Sequence, residues 1–420
     1  MKIRLIIIVS LFLLHGTSSS AQLTLDSCIN MGYTHFEYEK QAQSYRSSSE
    51  LAEKKINTNW YPKFVVDGNF TYQNENISIP VALPGAEAPA VPLNFNRLLV
   101  NFNQTIYDGS VTANQKKLEA SKYSILEEKI ESEKVQLKSK VISLYMSILL
   151  TNDRLEIIKA KKGVVEDRLK MMKGGEEFGT IPLINIRSLE AEILTIEQQV
   201  IEIESTLATL YTNLSEVTGS LIDPSNELVR PQPQVVFENN VDGRPEIQLL
   251  NMQIENYELQ KGMVKTSRLP KISAFGSFGA GLPGYDIFKD ETAVMAMIGV
   301  GLKWNIVDYG LANKEKQILS FNQQISQMQQ SRARTQFISE LKSTELEIAK
   351  LNLLLESDQE MIALRREVSE IKSVQLDEGI VTSTDYLIEL NLEEEAILNA
   401  KIHELKLILS QLNYLTIQGK

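Results

Sequence analysis

The sequence has few of the residues that build disulfides, metal clusters or catalytic relays. It contains one cysteine, Cys28, and three histidines, of which only His35 and His403 lie beyond an apolar amino-terminal leader. One cysteine excludes an intramolecular disulfide and a thiolate metal cluster. Two histidines leave almost no material for a histidine-based metal site or a catalytic relay. We therefore expect a protein that is not an enzyme and that uses no metal and no cofactor.

Basic residues are also in deficit. The chain has 43 lysines and arginines against 54 aspartates and glutamates, which gives a formal net charge of −11. Binding to nucleic acid requires a basic surface that neutralises phosphates. The charge balance therefore argues against nucleic acid as a partner.

Long apolar runs are missing from all but the amino terminus. Residues 1–21 carry two basic residues, an apolar run from Leu5 to Leu14 and a small-residue segment from Ser18 to Ala21, a pattern that predicts a cleavable secretory signal. The run is shorter than the about 20 residues of a transmembrane helix, so any membrane insertion must use strands. Cys28 lies well past the run and Asp26 fits a lipidation signal poorly, so we interpret Cys28 as a buried small hydrophobe.

The rest of the chain contains an internal repeat. A long-period repeat indicates paired structural units, and we divide the sequence into a signal peptide at 1–21, a first repeat at 22–219, a linker at 220–241 and a second repeat at 242–420. Three landmark segments recur: Tyr61-Pro62-Lys63-Phe64 as Leu269-Pro270-Lys271-Ile272, Ile106-Tyr107-Asp108 as Ile306-Val307-Asp308, and Gly179 with Asn185 as Gly379 with Asp385.

Each repeat is predicted to end in a long helical hairpin. Apolar residues from Leu137 to Met172 recur at alternating spacings of three and four, and those from Leu311 to Ile362 recur largely at seven-residue steps. This heptad pattern predicts coiled-coil helices of roughly 90 Å at 1.5 Å per residue. The glycine-marked turns that follow give hairpins at about 110–217 and about 310–418. Further helices are predicted at about 25–58 and about 245–266.

Alternation of apolar and polar residues replaces the helical period at about 61–107 and about 269–307. One face of such a strand suits lipid and the other suits water, so each region is predicted to be a membrane-spanning β-hairpin. Gly279 to Gly284 matches a dinucleotide fingerprint, but a predicted strand rather than a helix follows it, which disfavours nucleotide binding. The clearest strand has Val294, Ala296, Ile298, Val300, Leu302, Trp304 and Ile306 on one face, and Met295, Met297, Gly299, Gly301, Lys303 and Asn305 on the other.

Aromatic residues mark the places where predicted strands meet predicted helices. Amphipathic rings at one level are typical of a membrane interface, which predicts an aromatic belt, although ordinary packing residues are the alternative interpretation. The belt candidates are Trp60, Tyr61, Tyr107, Trp304 and Tyr309.

Four strands per chain are too few to close a barrel. An open sheet edge in hydrocarbon leaves backbone groups unpaired, and single-chain barrels begin at eight strands. Two chains would give eight strands and an interior filled by side chains, whereas three would give twelve and leave a lumen. The sequence therefore predicts a homotrimer whose helical hairpins project into the periplasm.

The order of these elements resembles the TolC-like outer membrane efflux protein family. The resemblance covers essentially the whole mature chain and includes Arg244-Pro245-Glu246 at the opening of the second repeat. It implies a mostly α fold, in which three protomers share a 12-stranded β-barrel in the outer membrane of a diderm bacterium, continuous with a periplasmic tunnel of α-helical coiled coils. It also implies a passive exit duct for small molecules, working with a periplasmic adaptor (membrane fusion) protein and an inner-membrane transporter.

The resemblance places the periplasmic tip, where the adaptor docks, at the free ends of the two helical hairpins. The docking candidates are Gly179, Thr180, Gly379 and Ile380. Asp385 and Glu389 are candidates for a carboxylate ring at the entrance, because rings of carboxylates select cations in pores; a solvated acidic face is the alternative. The arginine that some members use as a closing latch is absent at Val381.

Two other functions remain open at this stage. The same channel would serve as the outer membrane component of a type I protein secretion system, and nothing in the sequence separates that role from efflux. A soluble periplasmic coiled-coil scaffold is the alternative from another class. It predicts no lipid-facing strand, and the alternating run from Val294 to Ile306 argues against it.

Overall fold

A computed structural model describes residues 22–75, 91–176 and 182–420 of the chain, without the side chains of residues 175 and 176. The signal peptide predicted at 1–21 and the tip candidates Gly179 and Thr180 lie outside these residues. The helices are α1 (Leu25–His35), α2 (Tyr38–Asn57), α3 (Val111–Glu176), α4 (Leu183–Thr218), α5 (Pro245–Thr266), α6 (Leu311–Asp377) and α7 (Ser383–Gln418). The strands are β1 (Lys63–Tyr72), β2 (Asn94–Tyr107), β3 (Lys271–Leu282) and β4 (Ala293–Lys303).

The chain forms two compact units, to which the long helices α3 and α6 both contribute. The first, called the helical unit, consists of the described residues up to Glu39 together with Ser132–Arg244 and Gln336–Lys420. The second, called the sheet unit, consists of Lys40–Glu131 and Pro245–Thr335.

The core of the helical unit follows the heptad pattern of the sequence. α4 packs against α1 and α7, and apolar side chains spaced by three or four residues are buried along α3 and α4. Burying each such side chain contributes roughly 1.5–3 kcal/mol. The buried seams comprise Leu137, Val141, Ile148, Ile158, Val165 and Met172 in α3, and Ile186, Leu189, Ile196, Ile203, Leu207 and Leu214 in α4.

The segment between α4 and α5 is tied down by one tyrosine from each long hairpin. The hydroxyl of Tyr145, in α3, lies 2.6 Å from the carbonyl oxygen of Leu23 and 2.7 Å from that of Val229. The hydroxyl of Tyr414, in α7, accepts a hydrogen bond from the backbone N–H of Glu238 at 3.0 Å. Both rings are fully buried. The linker is therefore an ordered part of the helical unit.

The sheet unit contains an antiparallel sheet in the order β1-β2-β3-β4. Phe64 of β1 pairs with Phe102 of β2, and Lys271 of β3 pairs with Lys303 of β4. The register between β2 and β3 shifts between Thr105 and Tyr107. β1 and β4 are the two edges of this sheet, so each has a strand neighbour on one side only.

Two predicted element boundaries were wrong. The helix expected at about 25–58 is broken at Glu37, whose φ of 54° lies outside the helical range; the ring of Phe36 stacks on that of Tyr38 across the break. The strand expected to reach Ile306 ends at Lys303. Its partner β3 is preceded by Pro270, which has no N–H to donate to the ladder, so pairing stops at Lys271.

In the part of the chain that the structure describes, every helix is too short or too polar to cross a membrane.

Candidate functional site

The sheet presents one face without charge. Every even-numbered position of the four strands carries an uncharged residue, and the register sets these positions beside one another from strand to strand. A contiguous exposed apolar surface marks contact with lipid or with protein. The exposed large side chains of this face, called the apolar face, are Phe64, Val66, Phe70, Tyr72, Leu98, Val100, Phe278, Val294, Ile298, Val300 and Leu302.

The opposite face, called the polar face, carries all the charged residues of the strands. Asparagine, serine and threonine side chains lie among them, and the amide of Asn101 donates a hydrogen bond to the carboxylate of Asp67. Apolar side chains such as Val65 and Met297 also lie on this face, so it is charge that the two faces separate. Confinement of charge to one face is expected of a strand with lipid on one side and water on the other. The charged residues are Lys63, Asp67, Arg97, Lys271 and Lys303.

The predicted aromatic belt gathers at one end of the sheet. The pairing of Lys63 with Asn103 and of Lys271 with Lys303 puts the start of β1 and β3 beside the end of β2 and β4. Trp60 and Tyr61 precede β1, Tyr107 ends β2, and Trp304 follows β4, donating its indole N–H to the carbonyl of Arg268 at 3.0 Å. All four side chains are exposed, and Tyr309 is 91% exposed. The structure thus brings the five candidates to the helix-proximal end.

The repeated aspartates start the long helices. A carboxylate oxygen of Asp108 accepts the backbone N–H of Thr112 at 2.6 Å. Asp308 accepts the N–H groups of Gly310 and Ala312 at 3.0 and 3.2 Å. Hydrogen bonds from the Arg268 guanidinium, helped by these N–H groups, lower the pKa of Asp308 to about 2. The landmark aspartates are therefore helix caps, which satisfy backbone donors that a helix start leaves free.

At the second tip, Gly379 terminates α6. Its φ is +74°, and the N–H groups of Gly379 and Ile380 donate to the carbonyls of Leu376 and Gln375 at 3.0 and 2.8 Å. This is a Schellman motif, which favours glycine because a side chain is strained at positive φ. Among the described residues other than its own chain neighbours, none has an atom within 4 Å of a Cβ built on Gly379, and Ile380 is 65% exposed. Both docking candidates of this tip therefore face open space within the described chain.

The two entrance-ring candidates have different surroundings. Asp385 is exposed and forms a capping box with Thr382 at the start of α7, and hydrogen bonds from Thr382 lower its pKa. Glu389 is half-buried, and its Oε2 lies 3.5 Å from a guanidinium nitrogen of Arg365 but makes no hydrogen bond. Asp385 is thus an open negative charge, whereas the charge of Glu389 is offset by a neighbour.

The first tip meets the second through a position already noted in the sequence. Gly179 and Thr180 lie outside the described residues, but Asn185 lies in α4. The side-chain oxygen of Asn185 accepts a hydrogen bond from the backbone N–H of Ser383 at 3.1 Å. An amide here occupies the place of the acid in the other repeat and joins the starts of α4 and α7.

Two buried cations in α3 were not predicted from the sequence. Lys161 lies 2.7 Å from Glu192 of α4 and 2.9 Å from Glu394 of α7. Burial alone would lower the pKa of Lys161, but hydrogen bonds to these two glutamates raise it.

Arg168 is the second buried cation. It bonds to Asp377 and Ser373 of α6, and it stacks 5.2 Å from the ring centre of Tyr386 in α7. Lys161 and Arg168 fill the heptad seam between Ile158, Val165 and Met172, all of which are buried. A cation inside an apolar seam was the signal that could have found them.

Comparisons with known proteins agree on the fold. No family model matches the sequence, and no curated protein matches it. The outer membrane protein VceC from Vibrio cholerae is similar over 94% of this chain and 96% of its own, with a TM-score of 0.71 and 13% identity. The Campylobacter jejuni CmeC outer membrane channel is similar over 94% and 85%, with a TM-score of 0.70 and 13% identity.

The Neisseria gonorrhoeae MtrE outer membrane channel, solved in its open state, gives a TM-score of 0.69 at 11% identity over 94% of this chain and 88% of its own. The similar regions include both repeats, and they cover at least 85% of each of the three comparison chains. They confirm the mostly α fold with long helical hairpins and a small antiparallel sheet. The chain therefore has the fold of the TolC-like outer membrane channels that its sequence resembles.

Proposed function

We propose that this chain is the subunit of a homotrimeric outer membrane channel. In this proposal, three copies share a 12-stranded barrel, and the long hairpins extend into the periplasm. The observation that carries the proposal is the uncharged apolar face, with Phe70, Ile298 and Val300 between 71% and 80% exposed. Exposing such a surface to water is energetically unfavourable, whereas contact with lipid is favourable.

The two open sheet edges support a shared barrel. β1 and β4 each have one strand neighbour within the chain, and unpaired backbone groups in hydrocarbon cost several kcal/mol each. Pairing β4 of one protomer with β1 of the next removes every edge when the ring closes. Twelve strands leave a lumen, whereas eight would be filled by side chains.

We further propose that the channel is the passive exit duct of a tripartite efflux system, with a periplasmic adaptor and an inner-membrane transporter as partners. The exposed tip formed by Gly379 and Ile380 supports adaptor docking, because docking needs an accessible and well-defined surface. The exposed carboxylate of Asp385 supports an acidic entrance, and the pairing of Glu389 with Arg365 makes Asp385 the stronger ring candidate.

A matched pair of variants tests the membrane proposal. Ile298 and Met297 are adjacent in the middle of β4, on the apolar and the polar face, and are 80% and 50% exposed. A lysine on the lipid face near the bilayer midplane costs about 2–4 kcal/mol. We expect Ile298→Lys to reduce strongly the protein recovered in outer membrane fractions, and Met297→Lys to leave recovery near that of the unchanged protein. Equal recovery of both variants would overturn the proposal.

Efflux is tested separately from protein export. Cells that lack this chain should accumulate more of a small fluorescent dye, and re-expression should restore its extrusion. Secretion of large proteins into the medium should be the same in both strains. A defect in protein secretion with normal dye extrusion would instead support the type I secretion role.

A further inference from the structure

Three lysines of the polar face converge at the helix-proximal end of the sheet. Lys63 opens β1, Lys271 opens β3 and Lys303 ends β4. They line one pocket of about 380 Å³ together with the polar side chains of Asn59, Thr105 and Ser273. The pocket lies within the sheet unit, so a single chain supplies all of it.

In the described part of the chain, none of these three lysines forms a hydrogen bond or an ion pair with another residue. Asp108 also lines the pocket, but one oxygen of its carboxylate is engaged in capping α3. Asp308 caps α6 and pairs with Arg268 at 2.8 Å. Three lysines beside one carboxylate leave the pocket with an excess of positive charge that is open to a ligand.

The placement of Lys271 and Lys303 works against stability. The two residues are directly opposite in the β3–β4 register, and like charges at opposed positions of a sheet repel each other. Gly301 beside them has no side chain and so keeps the pocket open. An arrangement that costs stability without an internal partner suits a charged ligand better than it suits packing.

We propose that Lys63, Lys271 and Lys303 form a binding site for small anions with two or more negative charges, which carry carboxylate or phosphate groups. The inference rests on the proposed channel only for its setting, since it gives each protomer an anion site at the base of the barrel lumen. Rings of lysine and arginine select anions in pores. Solutes with several carboxylates or phosphates would then be concentrated at this level of the duct.

Citrate is the probe for the site, titrated by calorimetry into the detergent-purified protein at low salt. We expect one citrate bound per chain, with an affinity that falls as salt rises. Combined substitution of the three lysines by glutamine should weaken binding by at least about tenfold, equivalent to 1.4 kcal/mol. Lys271→Arg with Lys303→Arg should retain binding, because the charge is kept.

Lys289→Gln is the matched control. Lys289 lies in the β3–β4 connection at the far end of the same strands, 3.7 Å from Asp286, and its loss should leave citrate binding unchanged. Circular dichroism on each variant checks that the fold is kept. Absence of citrate binding to the unchanged protein, or equal binding by the triple glutamine variant, would overturn the inference.

Planar bilayers separate this inference from the proposed function. If the unchanged protein forms channels, the ratio of chloride to potassium permeability should fall in the triple glutamine variant, and an unchanged ratio would count against a lumenal anion site. Failure of the unchanged protein to conduct, with citrate binding intact, would contradict the channel and leave the site standing.

Discussion

At the scale of single residues, Lys161 is the side chain whose removal should reduce the stability of the fold most. It lies between Glu192 and Glu394 and is 7% exposed. Lys161→Ala leaves two carboxylates close together without a counter-charge, and breaking a buried ion pair in this way costs about 3–5 kcal/mol. We expect a clear fall in the midpoint of thermal unfolding, measured by circular dichroism on the purified protein.

Lys159 provides the control for that prediction. It lies on the same helix at 2.9 Å from Glu204, but both side chains are more than half exposed. Exposed pairs contribute at most about 1 kcal/mol, so Lys159→Ala should leave the midpoint almost unchanged. Similar losses from the two variants would show that burial of Lys161 does not matter.

Asp308 should contribute a pH-dependent part of the stability. Its pKa in the folded chain is lowered to about 2, first by Arg268, so folding favours the charged form. The stabilising effect is complete above the ordinary pKa of an aspartate, about 3.9, and is lost as the pH falls toward about 2. Asp308→Asn should lower the unfolding midpoint at pH 7 and flatten its decline below about pH 5.

The exposed loop residue Asp290 provides the control substitution. Asp290→Asn should leave the midpoint at pH 7 unchanged. A variant at Asp308 with the full acid dependence of the unchanged protein would contradict the assignment.

Residue roles were harder to predict than residue locations. The sequence singled out Asp108 and Asp308 by their repetition, but their function as helix caps depends on the backbone N–H groups that the fold turns toward them. Lys161 and Arg168 stand in the heptad seam, yet their partners lie in α4, α6 and α7. Contacts between helices that are distant in the sequence leave no periodic signal. The heptad seam could therefore be predicted, but the ion pairs within it could not.

At the scale of elements, the end of α6 separates helix termination from docking. Asparagine tolerates positive φ better than other residues with a side chain, so Gly379→Asn should keep the Schellman turn while adding atoms in open space. If the tip docks an adaptor, this variant should lose dye extrusion in cells while its trimer and thermal stability stay normal. Normal extrusion would remove Gly379 from the docking surface.

Gly310 is a matched control for the same substitution. Its φ is +80°, and within the described chain no atom beyond its own neighbours lies within 4 Å of a Cβ built there, but it lies at the start of α6. We expect Gly310→Asn to retain extrusion. Loss of extrusion from both variants would indicate that positive φ itself, and not a surface at the tip, requires glycine.

Strands and helices were predictable where one period ran without interruption. The strict alternation of β4 predicted its two faces. The heptads predicted α3 and α6, and the glycine-marked turns that follow them predicted α4 and α7. The break between α1 and α2 was not predictable, because the residue with positive φ at the break is Glu37 and not a glycine. The end of β4 depends on Pro270. This residue directly precedes β3, so the sequence of β4 itself gives no sign of where the strand ends.

At the scale of the whole molecule, the edge strands should meet between chains and not within one. β1 and β4 are separated by three strand spacings, about 14 Å, which exceeds the Cα separation of about 7 Å that a disulfide permits. In a Cys28→Ser background, Val66→Cys with Val300→Cys should therefore give disulfide-linked species up to the trimer and none larger, on non-reducing denaturing gels after mild oxidation.

The central strands provide the reference for that cross-link. Leu98 and Ala280 are register partners within one chain, so cysteines at these positions should form an internal link and migrate as a monomer. A monomer band alone from the edge pair would contradict the shared barrel.

The fold of the chain could be predicted from the sequence more fully than its assembly with other proteins. Two copies of strand pair and helical hairpin, together with the landmark prolines and aspartates, were enough to predict the fold that the solved channels share. The identity of the proposed docking partner and of the proposed solute would depend on surfaces that other proteins contribute. Those properties have no intrachain pattern from which they could be read.

Even-numbered residues of the strands lie on one face of the sheet and odd-numbered residues on the other. The sheet is therefore sensitive to the number of residues inserted or deleted within a strand. Deleting a single residue near the start of β3 would move every later side chain of the strand to the opposite face. Phe278 would then lie on the polar face and Ser277 on the apolar face. Removing two neighbours would shorten the strand but keep its sides. Insertions and deletions within these strands should therefore be tolerated in pairs, while the same changes in the connection between β3 and β4 are free of that restriction.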